Sequence, residues 1–209
     1  MHTPNRIVRA AILAAAALTA SACAGSYTGP VEVTRFVSEQ PIALGQGTTI
    51  TIEFPEEMAN IGARNAFAAA VADELSAVGY SVVLDGSRPA EHLAIIRTTR
   101  NPIAAAGSGN PVNVGLGAGT GGYGSGVGVG IGINLGGGNS GPRVLTELSV
   151  RISGPDGASL WEGRAQQPTS IKSPYADVDA SARTLAAALF KDFPGGNGET
   201  ISIDVEDLR

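Results

Sequence analysis

An eleven-residue alternation, Arg143–Ser153, does most to limit what this chain can become. Val144, Thr146, Leu148, Val150 and Ile152 share one face of the strand it predicts, and Leu145, Glu147, Ser149 and Arg151 share the other. Gly154-Pro155-Asp156-Gly157 follows, where proline presets φ and glycine accepts positive φ, so the chain turns. Ser159–Ala165 runs back as a second strand. A long hairpin with one apolar face needs something apolar to cover it, and that fixes the architecture sought in the rest of the chain. Trp161 lies in the return strand and is expected in the core with Leu148 and Val150, because its large ring is wasted in water.

Two helical stretches can supply the cover. In the first, about 60–78, Phe67, Val71, Leu75 and Val78 repeat at helical spacing, and Gly79 suits a left-handed C-terminal cap. The second opens at Ser173-Pro174, with serine as cap and proline in the first turn. Its buried stripe is Val178, Ala182, Leu185 and Leu189, with Asp177 and Asp179 at the positive end and Lys191 at the negative end. Further strands are expected at Val31–Phe36, Thr48–Phe54, Tyr80–Leu84, Leu93–Thr99 and Ile201–Val205, with a turn at Gly45-Gln46-Gly47. The expected fold is α+β: a mostly antiparallel sheet with two helices on one face, plus a glycine-rich β-hairpin or loop insert.

That insert spans Asn101 to Pro142, forty-two residues without one charged side chain. Disordered linkers are usually polar and charged, so it is not an ordinary linker. Val127, Val129, Ile131, Ile133 and Leu135 alternate with Gly128, Gly130, Gly132 and Asn134, a strand pattern. Val112, Val114 and Leu116 suggest the other arm, joined through Thr120–Ser125. Val127, Val129, Ile131 and Ile133 are the candidate contacts with a partner, since a bare uncharged stripe invites association. Gly117-Ala118-Gly119-Thr120-Gly121-Gly122 matches G-x-G-x-x-G. A dinucleotide fingerprint must open a helix, and here glycine alternation continues instead.

The N-terminus addresses location. Arg6 and Arg9, an apolar run from Ala10 to Leu18, and the small residues Ala20-Ser21-Ala22 follow the order of a signal peptide, residues 1–22. Nine apolar residues are too few for a bilayer core that needs ~20. Cys23, the single cysteine, comes directly after and resembles the acylated first residue of bacterial lipoproteins. Its acyl chains would exceed the two lipid signals that stable anchoring requires. With Ala24 rather than aspartate at the next position, the lipoprotein resemblance implies the periplasmic face of the outer membrane of a Gram-negative bacterium. Residues 23–30 read as a tether, and 31–209 as one domain carrying the insert at 101–142.

Composition narrows the chemistry. Cleavage after residue 22 removes two arginines and no acid, so the net charge moves from −5 to −7. No basic cluster exists to neutralise phosphates, which argues against nucleic acid. His2 leaves with the leader, and His92 remains alone at the start of an apolar strand. Neither a metal site nor a Ser-His-Asp constellation can be assembled from one histidine and no free thiol. Glu56-Glu57 and Asp73-Glu74 are adjacent acids of the kind that form a solvated face. No catalytic residue, metal ligand or cofactor is expected.

The stretches TELSVRISGPDGASLWEGRA, SPYADVDASARTLAAALFKDFPG and VADELSAVGY together resemble the bacterial lipoprotein family known as domain of unknown function 4136. The matching positions are Leu148, Val150, Ile152, Asp156, Gly157, Trp161, Gly163, Ala165, Phe193 and Pro194. The resemblance covers about residues 31–205 and implies an envelope lipoprotein without an assigned activity. Where many members carry an aromatic Y-x-T-x-x-W stretch, this chain has Val33-Thr34-Arg35-Phe36.

The function expected is therefore a non-enzymatic, outer-membrane-anchored module that contacts the lipid bilayer through acylated Cys23 and an unknown envelope protein. Two rivals are an oligomer that inserts the glycine-rich hairpin into the membrane and a carboxylate-dependent cell-wall hydrolase. The first has one arm near the ~9–11 residues of a spanning strand and one shorter arm. The second lacks any recognisable pair of acids facing across a cleft.

Overall fold

The computed structural model describes residues 26–39, 44–55, 60–83, 89–103, 113–114, 133–134 and 141–208. In chain order the main elements are β1 (Val31–Val37), β2 (Thr49–Glu53), α1 (Ile61–Ala77), β3 (Ser81–Val83), β4 (His92–Ile103), β5 (Asn113–Val114) and β6 (Ile133–Asn134). There follow β7 (Arg143–Ser153), β8 (Ser159–Ser170), α2 (Val178–Phe190) and β9 (Thr200–Ile203), with 3-10 turns at Pro174–Ala176 and Val205–Leu208. The fold is α+β. One sheet of seven strands has the order β3-β2-β4-β7-β8-β1-β9, and β5 and β6 pair only with each other.

The alternation in β7 puts Leu148, Val150 and Ile152 wholly out of solvent, where they join Trp161, Ala165, Val31, Val33 and Ile96 in one core. Leu75, Val71 and Phe67 of α1 and Leu185 and Leu189 of α2 fill the same core, so both helices cover one face of the sheet. Trp161 is fully buried, stacks on Phe190 and donates from Nε1 to the carbonyl of Pro194 at 2.9 Å. Its cross-strand neighbour is Ile152; Leu148 faces Ala165 and Val150 faces Gly163, one or two pairs further along the same face.

The sheet is mostly antiparallel, as expected, with one parallel wing in which β2 runs alongside both β3 and β4. In that wing α1 carries the chain back to its starting end, so that β3 repeats the direction of β2, as in any β-helix-β crossover. Three of the expectations need correction. First, β4 does not stop at Thr99. It continues to Ile103, which pairs with Arg143, so the first three uncharged residues belong to the sheet. Second, Ser173 caps the 3-10 turn, accepting from the Tyr175 amide, and α2 has its own cap in Asp177, whose Oδ1 accepts from Asp179 and Ala180. Third, the last strand stops at Ile203, and Val205 lies in a 3-10 turn.

The cap of α1 is as expected. Gly79 has φ of 98°, and amide donations from Tyr80 to Leu75 (2.9 Å) and from Gly79 to Ser76 (3.1 Å) close the helix in a Schellman arrangement. Gly45, Gln46 and Gly47 all hold positive φ, and the Gly47 amide donates to the carbonyl of Gly79, tying the turn to the cap.

Candidate functional site

Each strand direction sorts the loops to one of two ends. The β7–β8 turn at Gly154–Gly157 lies at one end; the far ends of β4 and β8 and the start of β7 lie at the other. The second end is where the insert leaves and rejoins the sheet, at Ile103 and Arg143.

The residues read as tether reach the same end and are partly docked. Thr28 bridges Thr169, the Gly29 amide donates to Pro168 (2.9 Å), and the Ser170 amide donates to Tyr27 (2.8 Å). Side chains lock this pairing: Gln167 Nε2 donates to the Gly29 carbonyl at 3.0 Å, and the Thr28 and Ser173 hydroxyls are 2.7 Å apart. A Cβ on Gly29 would stand 2.8 Å from Pro168 Cγ, so only glycine permits this approach. The Arg143 guanidinium lies 4.2 Å from the centre of the Tyr27 ring, a cation–π contact. Residues 26–30 are thus an extension of the sheet, which sequence reasoning missed because the segment is too short and polar to show a period.

Around this rim, Ile171 is 51 % exposed and its amide donates to the Pro142 carbonyl at the root of the insert. Lys172 beside it is exposed. Arg100 on β4 donates to the carbonyl of Ala176 at 2.6 Å. A shallow groove of about 300 Å³ flanks the rim, lined by Thr28, Gly29, Pro30, Asp204, Val205 and Glu206.

The other sequence candidates fall as follows. Cys23, Val127, Val129 and Ile131 lie outside the described residues, and Ile133 is in β6, where it pairs with Val114. Trp161, Leu148 and Val150 are all in the core. His92 is buried at the start of β4, 3.4 Å from the Tyr80 hydroxyl. Burial pushes its imidazole below the ordinary range, with neighbouring Glu91 opposing, and burial pushes the Tyr80 phenol up. Neighbouring Glu91 accepts from the backbone and hydroxyl of Thr49.

On the helix-free face of the sheet, Glu147 Oε2 accepts from Arg164 (2.5 Å) and from Gln166 (2.6 Å), and Arg151 lies 3.4 Å from Glu162. These cross-strand pairs bind acids to bases, and the groove described above carries two further acids, Asp204 and Glu206, on one segment. Among the described residues no cluster of three metal-ligating side chains occurs, and no helix is long and apolar enough to cross a membrane.

The geometry defines an α+β module whose built end combines an N-terminal docking strand with the roots of a long insert. The α+β fold is shared by a known structure. A PDZ domain protein from Parabacteroides distasonis superimposes with a TM-score of 0.51 at 14 % identity, covering 90 % of this chain; this chain spans only 42 % of that protein. The PelC dodecamer from Paraburkholderia phytofirmans aligns with a TM-score of 0.41 at 11 % identity, over 76 % of this chain and 93 % of PelC. No family model matches the chain, and no curated protein matches it.

Proposed function

We propose that this protein is a non-enzymatic lipoprotein, anchored through acylated Cys23 to the periplasmic face of the outer membrane and acting as an interaction module of the envelope. The observation that carries the reading is the leader itself: basic start, nine-residue apolar core, small residues, then the chain's one cysteine. The docked segment 26–30 supports it, because Tyr27 and Thr28 are fixed to β8 only four and five positions after Cys23, so acyl chains on that cysteine would hold the domain by a short span of chain. The resemblance to lipoproteins of domain of unknown function 4136 points the same way.

Labelling cells with radioactive palmitate tests the anchor. Wild-type protein is expected to take up label and sediment with membranes, and Cys23→Ala to lose both. Equal labelling of the two would sink the proposal.

A further inference from the structure

We infer that the insert-bearing end of the domain is held flat against phospholipid, with Ile171, Lys172 and Tyr27 at the bilayer surface. The inference rests on the acylation of Cys23 and adds to it an orientation.

Reach supplies the first argument. The Tyr27 backbone is fixed to Ser170 at the tip of β8. Four residue steps separate it from Cys23, at most about 14 Å of extended chain. The eleven residues of β7 span about 33 Å at strand rise. The anchor is therefore far shorter than the domain, and the opposite turn at Gly154–Gly157 cannot be the end that rests on lipid.

The surface presented there supplies the second. Of the described residues 26–29, 100–103, 141–145 and 168–176, the charged ones are Arg100, Arg143 and Lys172, all cationic, in a chain of net charge −5. Acids lie at the edge of this area: Asp177 follows Ala176 and caps α2, and Asp204 and Glu206 share the flanking groove with Thr28 and Gly29. Anionic lipid headgroups attract such a local excess of Lys and Arg. Ile171 adds one of the few exposed large apolar side chains, and Tyr27 an aromatic ring of the kind that settles at the membrane interface.

The test uses the full lipidated protein in vesicles of phosphatidylethanolamine and phosphatidylglycerol bearing a headgroup-region spin label. Because Cys23 is acylated, a single new cysteine takes up a fluorophore selectively. Ile171→Cys and Lys172→Cys report on the insert-bearing end, and Ala158→Cys, exposed in the far turn, serves as reference. Palmitate incorporation is measured on the same preparations. Loss of emission at 171 and 172, with full emission kept at 158, is the expected result. Quenching at 158 equal to that at 171, or none at either position, in protein that carries palmitate would overturn the orientation while leaving the anchor standing. Protein that carries no palmitate would overturn both.

Discussion

Arg35 shows what a single residue does in this fold that alternation alone does not reveal. It is 4 % exposed, and a buried guanidinium needs partners for its donors. It finds them at the end of α2, donating from Nε to the Leu189 carbonyl and from Nη2 to the Ala188 carbonyl, both at 2.9 Å. These are carbonyls that a helix C-terminus leaves without intrahelical donors, at the pole where positive charge is favoured. The sequence assigns that position to Lys191, whose ammonium instead donates to the backbone of Asp207. Burial lowers the pKa of Arg35 and Asp192 opposes the shift, which leaves the side chain charged at neutral pH. The partners lie 153 and 154 positions away along the chain, beyond the reach of any local pattern. Arg35→Met removes both charge-assisted bonds and strands the carbonyls, so it should destabilise the domain by about 3 kcal/mol. Arg35→Lys should recover little of this, because a single ammonium cannot span both carbonyls as the planar fork does. Urea denaturation of the three proteins decides it; a Met variant within ~0.5 kcal/mol of wild type would mean that the contact is decorative.

Among the elements, strands and helices with strong periods were legible and their couplings were not. The β7 alternation, the Gly79 cap and the apolar stripe of α1 each follow from spacing that a few neighbouring residues set, and the structure keeps all three. The parallel placement of β2 depends on where α1 returns the chain, a property of the whole crossover and not of β2's five residues. The docking of residues 26–30 on β8 likewise depends on a partner more than 130 positions away. The contact surface assigned to Val127, Val129, Ile131 and Ile133 is a property of the insert, and the insert can be tested as an element. Ile103 and Arg143 face one another directly, the geometry that a two-residue turn closes. Within the insert, the described strands β5 and β6 pair with each other and not with the seven-stranded sheet. Replacing residues 104–142 by Asn-Gly should therefore leave a cooperatively folding domain with a melting temperature within about 5 °C of the parent, a shift of roughly 1 kcal/mol. Circular dichroism melts check this. Loss of the sigmoidal transition would make the insert part of the core.

At the scale of the whole molecule, one continuous core decides how the domain should unfold. The wing made of β2, α1 and β3 joins the rest mainly along two seams: β2 pairs with β4, and α1 packs along α2. If the sheet pairing were the only link, that wing could open by itself, since local regions with few buried contacts commonly do. The second link argues against it. Phe67, Val71 and Leu75 of α1 share a cluster with Leu185 and Leu189 of α2 and with Trp161 of β8, so opening the wing would expose the middle of the core. Tyr80, just past the cap of α1, also meets Phe193, and Phe193 meets Trp161, which ties the wing's far corner to the loop after α2. Trp161 is the chain's one tryptophan, and it reports from β8, which β4 and β7 separate from β2 in the sheet. Its fluorescence and the far-ultraviolet helical signal, to which α1 contributes the longer of the two helices, should therefore change together in urea, as two-state unfolding requires. Measured on the chain lacking residues 1–23, the two curves are expected to share one midpoint. A helical signal that falls first, while Trp161 keeps its native emission, would show that the wing is a separate unit and that the contact between the helices does not couple it to the sheet.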